Sequence, residues 1–87
     1  MNEDEIRQHL LEILHRIAPE AHLDQIEPSH NLREALDIDS FDFLNVIIGL
    51  NEKFGVNVPE SDYRQVSTFE GMVKYLTKTI HQIPSAR

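Results

Sequence analysis

The chain has 87 residues, 40% hydrophobic and 26% charged, which suits one compact domain with one modest core and excludes a disordered chain. A formal charge of −7 and the absence of cysteine exclude disulfides and thiolate metal sites, and make nucleic acid an unexpected partner, since phosphate backbones need clustered Lys and Arg. No apolar run approaches the roughly 20 residues that cross a bilayer, and the acidic opening MNEDEIRQHL is unlike a secretion signal, so no membrane span and a cytoplasmic location are expected.

The first element spans residues 3 to about 17. Ile6, Leu10, Ile13, Leu14 and Ile17 recur at helical spacing. Glu3, Asp4 and Glu5 suit the positive end of that helix, and Ala18-Pro19 ends it, because proline pushes the preceding residue out of helical geometry. A long connection follows, from residue 18 to about 39. Pro28, Ser29 and Asn31 mark turns, and Leu23, Ile26, Leu32 and Leu36 are apolar anchors. Leu32 and Leu36 permit one short helical turn. So long a loop in so small a domain is usually functional or disordered, and the anchors favour order.

The second helix spans residues 40 to 54. Asp39 or Ser40 can cap it, and Gly55 suits the left-handed position after its end. VNVPESDYRQV then gives a strand-like approach and a brief third helix with Pro59 in its first turn. The last helix runs from about 68 to 81, with Ser67 and Glu70 at capping-box spacing and Phe69, Met72, Val73, Leu76 and Ile80 as its stripe. The tail QIPSAR is expected to fray. The fold class is therefore all-α: a small four-helix bundle of three main helices plus a short third one, with a long loop between helices one and two. Residues 1–87 form a single domain.

On a helical wheel with Ser40 at zero, Phe43, Val46, Ile47, Leu50 and Phe54 fall between about 240° and 340° and make a normal core stripe. Phe41, Leu44 and Ile48 form a second apolar group between about 40° and 100°, bordered by Asn45 and Glu52, with Asp42, Gly49 and Lys53 near about 200°. That second group is either a wider contact with the long loop or an exposed docking patch. From Glu34 to Asp62 seven acids (Glu34, Asp37, Asp39, Asp42, Glu52, Glu60, Asp62) face one base, Lys53. Such a rim around an apolar centre fits a basic protein partner, although acidity also serves plain solubility.

Catalysis by the chain itself is not expected. His9, His15, His22, His30 and His81 are scattered, none at a motif spacing from Ser40, and those in the terminal helices read as surface residues. There is no G-x-S-x-G, glycine-rich phosphate loop or H-E-x-x-H. Asp37, Asp39 and Asp42 lack the EF-hand offsets and read as a solvated rim, so no metal is expected. Ser40 remains as a residue acted upon: a serine at a helix start is by base rate a cap, yet this one ends a long loop and opens a helix with two apolar faces.

The stretch NLREALDIDSFDFLNVIIGLNEKFGVNVPESDY resembles the acyl carrier protein family, the carriers of 4′-phosphopantetheine. The likeness rests on Leu32 and Leu36 before the site, the Asp39-Ser40 pair, the long apolar helix after it, and the EKFGVNVP ending; it covers roughly residues 3 to 81. It implies that a phosphopantetheinyl transferase esterifies Ser40 from coenzyme A, with Asp39 helping the transferase engage. It implies a non-catalytic carrier, monomeric, holding acyl groups as thioesters for acyl-loading and acyl-processing enzymes with basic docking patches, in lipid metabolism such as fatty acid biosynthesis. Phe41, Asp42, Leu44, Asn45, Ile48 and Glu52 would meet those partners, and Phe43, Ile47 and Leu50 would line the space for an acyl chain. The family usually has an aliphatic residue where Phe41 stands and glycine where Asp37 stands. Asn45, Asn51 and Lys53 dilute the acidity of a helix that is often richly acidic in fatty-acid carriers. A specialised lipid or secondary-metabolite carrier with dedicated partners is therefore expected. The alternatives are a peptidyl or D-alanyl carrier with the same chemistry at Ser40, and an unmodified acidic helical adaptor.

Overall fold

The computed structural model describes residues 1–82, with side chains as far as Ile80. Helix α1 (Glu3–Ile17) begins at a reciprocal cap that the sequence reading passed over. The Asn2 side chain accepts the Glu5 N–H at 2.8 Å, and the Glu5 carboxylate accepts the Asn2 N–H at 3.0 Å. The N-x-x-E spacing carried that signal, since both orphan donors of a first turn need acceptors. Ala18, at φ −128° and ψ 70°, leaves helical geometry ahead of Pro19, as expected.

The long connection is ordered by its apolar anchors. It contains a 3₁₀ turn at Leu23–Gln25 and the short helix α2 (Leu32–Ala35), the single turn that the Leu32/Leu36 spacing permits. Leu32 and Leu36 are buried, and Leu23, Ile26 and Ile38 pack on the core. Two backbone hydrogen bonds fasten this connection to the far end of the chain. The Leu32 N–H donates to the Ser67 carbonyl at 2.8 Å, and the Glu70 N–H donates to the Pro28 carbonyl at 2.9 Å.

Helix α3 (Ser40–Phe54) is the predicted second helix and ends at Gly55, whose φ of 70° is the left-handed geometry expected there. Phe43, Val46, Ile47 and Leu50 are buried, as the wheel predicts. The wheel errs on Gly49, placed on the polar side but buried against α1. A Cβ on Gly49 would lie 2.9 Å from Ile13 Cγ2, so the missing side chain is what lets the two helices approach. His9, expected at the surface, is half-buried with its ring edge-on to Phe54 at 6.1 Å.

Beyond α3 the chain departs from expectation in three local ways. Val56 and Val58 point inward in turn, but no strand forms among the described residues. The brief third helix is a 3₁₀ segment, Glu60–Val66, and Pro59 precedes it in extended geometry (φ −70°, ψ 156°) rather than lying in its first turn. The capping box at Ser67 and Glu70 does not form. Helix α4 (Phe69–Gln82) starts one residue later than that spacing requires, and Thr68 caps it, its Oγ1 accepting the Gly71 N–H at 2.9 Å. Ser67 is occupied with ending the 3₁₀ segment, its hydroxyl donating to the Arg64 carbonyl at 2.9 Å. Gln82 falls within α4; residues 83–87 of the expected frayed tail, and the His81 side chain, lie outside the described residues.

Helix α1 packs against both α3 and α4 around one apolar cluster, and α4 packs on the 3₁₀ segment. Among the described residues no charged or polar residue is fully buried. The Tyr75 hydroxyl donates to Asp62 Oδ2 at 2.7 Å, tying α4 to the 3₁₀ segment. Burial, that hydrogen bond and the Asp62 charge push the phenol up to about 12.

Gly71 gives a test of this junction. Alanine in place of an exposed helix glycine adds about 1 kcal/mol of stability. A Cβ on Gly71, however, would run into the Gln65 backbone carbonyl oxygen, which cannot swing aside. Gly71→Ala is therefore expected to lower stability by about 1–3 kcal/mol, as overpacking does. A urea midpoint equal to or above wild type would contradict this packing.

Candidate functional site

The turn between α2 and α3 decides where the loop meets the helix. The Ile38 N–H donates to the Arg33 carbonyl at 3.0 Å, and the Asp37 N–H donates to the Glu34 carbonyl at 3.3 Å. This nested pair is a Schellman ending, and it demands a left-handed residue at position 37. Asp37 supplies it with φ 55°, the one non-glycine residue with positive φ among those described. Aspartate tolerates that region better than most side chains. Glycine would meet this requirement without strain; Asp37 meets it at some cost.

Two residues later the chain enters α3, and the choice between Asp39 and Ser40 as cap is resolved. Asp39 is the N-cap: its carboxylate accepts the Asp42 N–H at 2.8 Å. Ser40 is the first helical residue. It is exposed, and no described side-chain hydrogen bond engages its hydroxyl. The hydroxyl stands at the positive end of a 15-residue helix.

Ser40 opens onto a cleft of about 490 Å³ between α2, α3 and the 3₁₀ segment. Its apolar wall is Phe43, Leu44 and Tyr63, with the Phe43 and Tyr63 rings edge-to-face at 5.9 Å. Phe43 thus lines the space beside the serine, whereas Ile47 and Leu50 belong to the closed core. Arg33, Arg64 and Glu60 also border this cleft. On the other side of the turn lies a second cleft of about 730 Å³, reached by Glu34, Asp37 and Asp42 but not by Ser40.

The second apolar group on α3 is exposed: Phe41 by 70%, Leu44 by 43% and Ile48 by 53%. It is not a contact with the long loop. Its expected rim is divided. Asn45 is half-buried, Asp42 leans into the acidic cleft, and Glu52 borders a groove with His9 and Arg16 of α1. Among the described residues no three His, Asp or Glu side chains gather as a metal site, and no helix is long and apolar enough to cross a membrane. Arg33, Tyr63 and Arg64 were not foreseen as site residues. Their signal was the position of the two arginines, which bracket the acidic segment 34–62 at both ends.

Comparison with known proteins bears on this geometry. A family described as "phosphopantetheine attachment site" matches residues 4–76. Among curated relatives, an acyl carrier protein of Rubrobacter xylanophilus is 32% identical over 80 residues, covering 90% of this chain and 95% of that protein. One from Thermobifida fusca is 30% identical over 79 residues, covering 88% and 96%. One from Acidothermus cellulolyticus is 29% identical over 76 residues, covering 87% and 89%.

The left-handed turn makes Asp37 a sensitive position. Asp37→Gly is expected to raise the urea midpoint. Asp37→Val is expected to cost about 1–2 kcal/mol, the strain of a side chain forced into left-handed geometry. Unchanged midpoints in both variants would contradict the assigned turn.

Proposed function

The chain belongs to the phosphopantetheine-attachment family that includes the acyl carrier proteins, and from that premise we propose that Ser40 bears the phosphopantetheine arm. The observation that carries this reading is the division of labour at the start of α3. Asp39 satisfies the helix end, so the Ser40 hydroxyl is exposed and uncommitted. A serine that capped its own helix would have its oxygen held against the first-turn N–H groups; the Ser40 hydroxyl is held by no such bond, because Asp39 takes that place.

The residues fit the group. In the attachment step the Ser40 Oγ forms a bond to the phosphorus of coenzyme A that bears the pantetheine. The phosphoanhydride bond breaks, the nucleotide half leaves with the electron pair, and the hydroxyl proton passes to the transferase. When attached, the arm supplies a terminal thiol that holds an acyl group as a thioester. The protein itself is a non-catalytic carrier. Phe43, Leu44 and Tyr63 offer an apolar wall next to the attachment point, and the remaining buried apolar residues are packed as core.

We read residues 1–87 as one carrier domain, and Phe41, Leu44 and Ile48 as the surface that partner enzymes cover. An exposed apolar triad on a helix that is capped by Asp39 and also carries Asp42, Asn45 and Glu52, though these do not form one continuous rim, fits enzymes with basic patches, the acids steering encounter and the apolar centre holding the complex. These partners include the transferase, which Asp39 helps to engage. Phe41 adds an aromatic anchor at the head of this surface, and Asn45, Asn51 and Lys53 lower its charge. Both features favour dedicated partners in a specialised pathway over the general enzymes of fatty acid synthesis.

Intact mass after incubation with coenzyme A and a broad-specificity transferase should rise by one phosphopantetheine in the wild-type chain and not in Ser40→Ala. No gain, or the same gain in both, overturns the assignment. The acyl form should also be processed more slowly by general fatty-acid enzymes than a typical carrier is, and equal rates would remove the case for dedicated partners.

A further inference from the structure

We propose that Arg33 and Arg64 form a two-sided clamp for the phosphodiester of an arm on Ser40, and so lay that arm along the Phe43–Leu44–Tyr63 wall. The inference rests on the Ser40 reading and extends it to the direction the arm takes.

Three observations carry it. First, Ser40, Arg33 and Arg64 line one cleft, although the arginines come from segments more than 30 residues apart in the chain. They are brought together by the chain's own ties. Leu32, next to Arg33, donates its N–H to the Ser67 carbonyl at 2.8 Å. Ser67 in turn donates its hydroxyl to the Arg64 carbonyl at 2.9 Å. The Arg33 carbonyl accepts the Ile38 N–H at 3.0 Å, which ties it to the turn leading into Ser40. The two arginine backbones and the entry to Ser40 are thus fixed relative to one another.

Second, among the described residues the arginines are uncommitted, as Arg16, Lys53 and Lys78 also are, while two other bases are paired. Arg7 pairs with Glu3 and Asp4, and Lys74 pairs with Glu70. Arg33 and Arg64 form no ion pair with a described residue, even though Glu60 borders the same cleft. Guanidinium groups bind phosphate oxygens through paired, charge-assisted hydrogen bonds, which suits them to a phosphodiester held at close range.

Third, the two sides of Ser40 differ in charge. The larger cleft on the other side is bordered by Glu20, Glu27, Glu34, Asp37 and Asp42. His22 and His30 also reach it, and His30 is spent on Glu34, with Nε2 and Oε1 3.3 Å apart. A phosphodiester linked to Ser40 stays anionic, so the acids repel it from that side and the arginines attract it to the other. Direction follows from the sign of the charges, not from a shaped pocket.

The test uses the full chain converted to its phosphopantetheine form, in wild type, Arg33→Gln, Arg64→Gln, the double variant, and Arg33→Lys with Arg64→Lys. Both arginines are exposed, so helix content and urea midpoint should stay at wild-type values. Intact mass is read first. No mass gain in wild type overturns the Ser40 reading, and this one with it. With conversion complete, the ³¹P resonance of the folded wild-type protein should differ from that of the same chain unfolded in urea. The double glutamine variant should bring the folded value more than half of the way to the unfolded one, with each single variant between. The Arg33 and Arg64 side-chain Nε–H signals should both move between the unmodified and modified wild-type protein, and the lysine variant should retain part of the ³¹P displacement. Mass gain with a ³¹P resonance indifferent to both arginines overturns the clamp and leaves Ser40 as the attachment site. So does a response from one arginine alone.

Discussion

The hydrogen bond from the Leu32 N–H to the Ser67 carbonyl is the constraint on which the working end of this molecule depends. The core is apolar, and apolar packing is non-directional. It can bring α1, α3 and α4 together without specifying how a connection of more than 20 residues should lie across them. A direct backbone bond between that connection and the segment before α4 does specify it. With the Glu70 N–H to Pro28 bond close by, it sets where α2 sits. The placement of α2 sets the Schellman turn, and the turn sets the entry of Ser40 into α3. The cleft beside Ser40 is the space left between the two strands of chain that this bond joins.

Within that frame, adjacent residues divide two tasks that a single serine would have to combine. A helix end leaves unsatisfied N–H groups, and a serine there is ordinarily drawn into capping. Here the Asp39 carboxylate takes that task at 2.8 Å. Ser40 then keeps a free hydroxyl at a place that is structurally firm, because the helix behind it is capped, yet exposed. The attachment proposed for Ser40 would need both properties: the group must be reachable by a modifying enzyme, and what it later carries must leave from a defined point. The same logic explains Asp37. A left-handed residue is required two positions before the cap, and the chain accepts the strain of a non-glycine side chain there rather than shift the entry of α3.

Much of this was legible in the sequence, and the limits have physical causes. Spacing of apolar residues located α1 and α3, and Gly55 located the end of α3, because periodicity and left-handed caps are local signals. The wheel separated Phe41 from Phe43 correctly: one is exposed and the other buried. It misplaced Gly49, because a wheel built on hydrophobicity has no way to register a residue buried for its smallness. The Ser67–Glu70 spacing misled for a similar reason. Two adjacent hydroxyl residues, Ser67 and Thr68, could each have capped α4, and the decision lay in the 3₁₀ segment upstream, which claims Ser67. The candidate site divided the same way. Asp39 and Ser40 are neighbours in the chain and could be read directly. That Arg33 and Arg64 border one cleft could be seen only in the fold, since nothing local to either residue points to the other.

Charge arrangement then takes on a meaning that net charge did not have. As a sum, −7 favours solubility and disfavours binding to nucleic acid, and says no more. Resolved onto the structure, most of the nearby acids border the cleft on one side of the turn before Ser40, and two arginines, with Glu60 beside them, border the cleft that Ser40 lines. Glu34, Asp37 and Asp42 reach the cleft on one side, and Arg33 and Arg64 border the cleft on the other. Because Arg33 and Glu34 are consecutive, this separation is produced by α2 itself, whose helical turn sends neighbouring side chains in different directions. A four-residue helix contributes little to stability on its own. Its consequence lies elsewhere: it converts a sequence of mixed charge into two surfaces of different sign meeting at the point where the chain presents its hydroxyl.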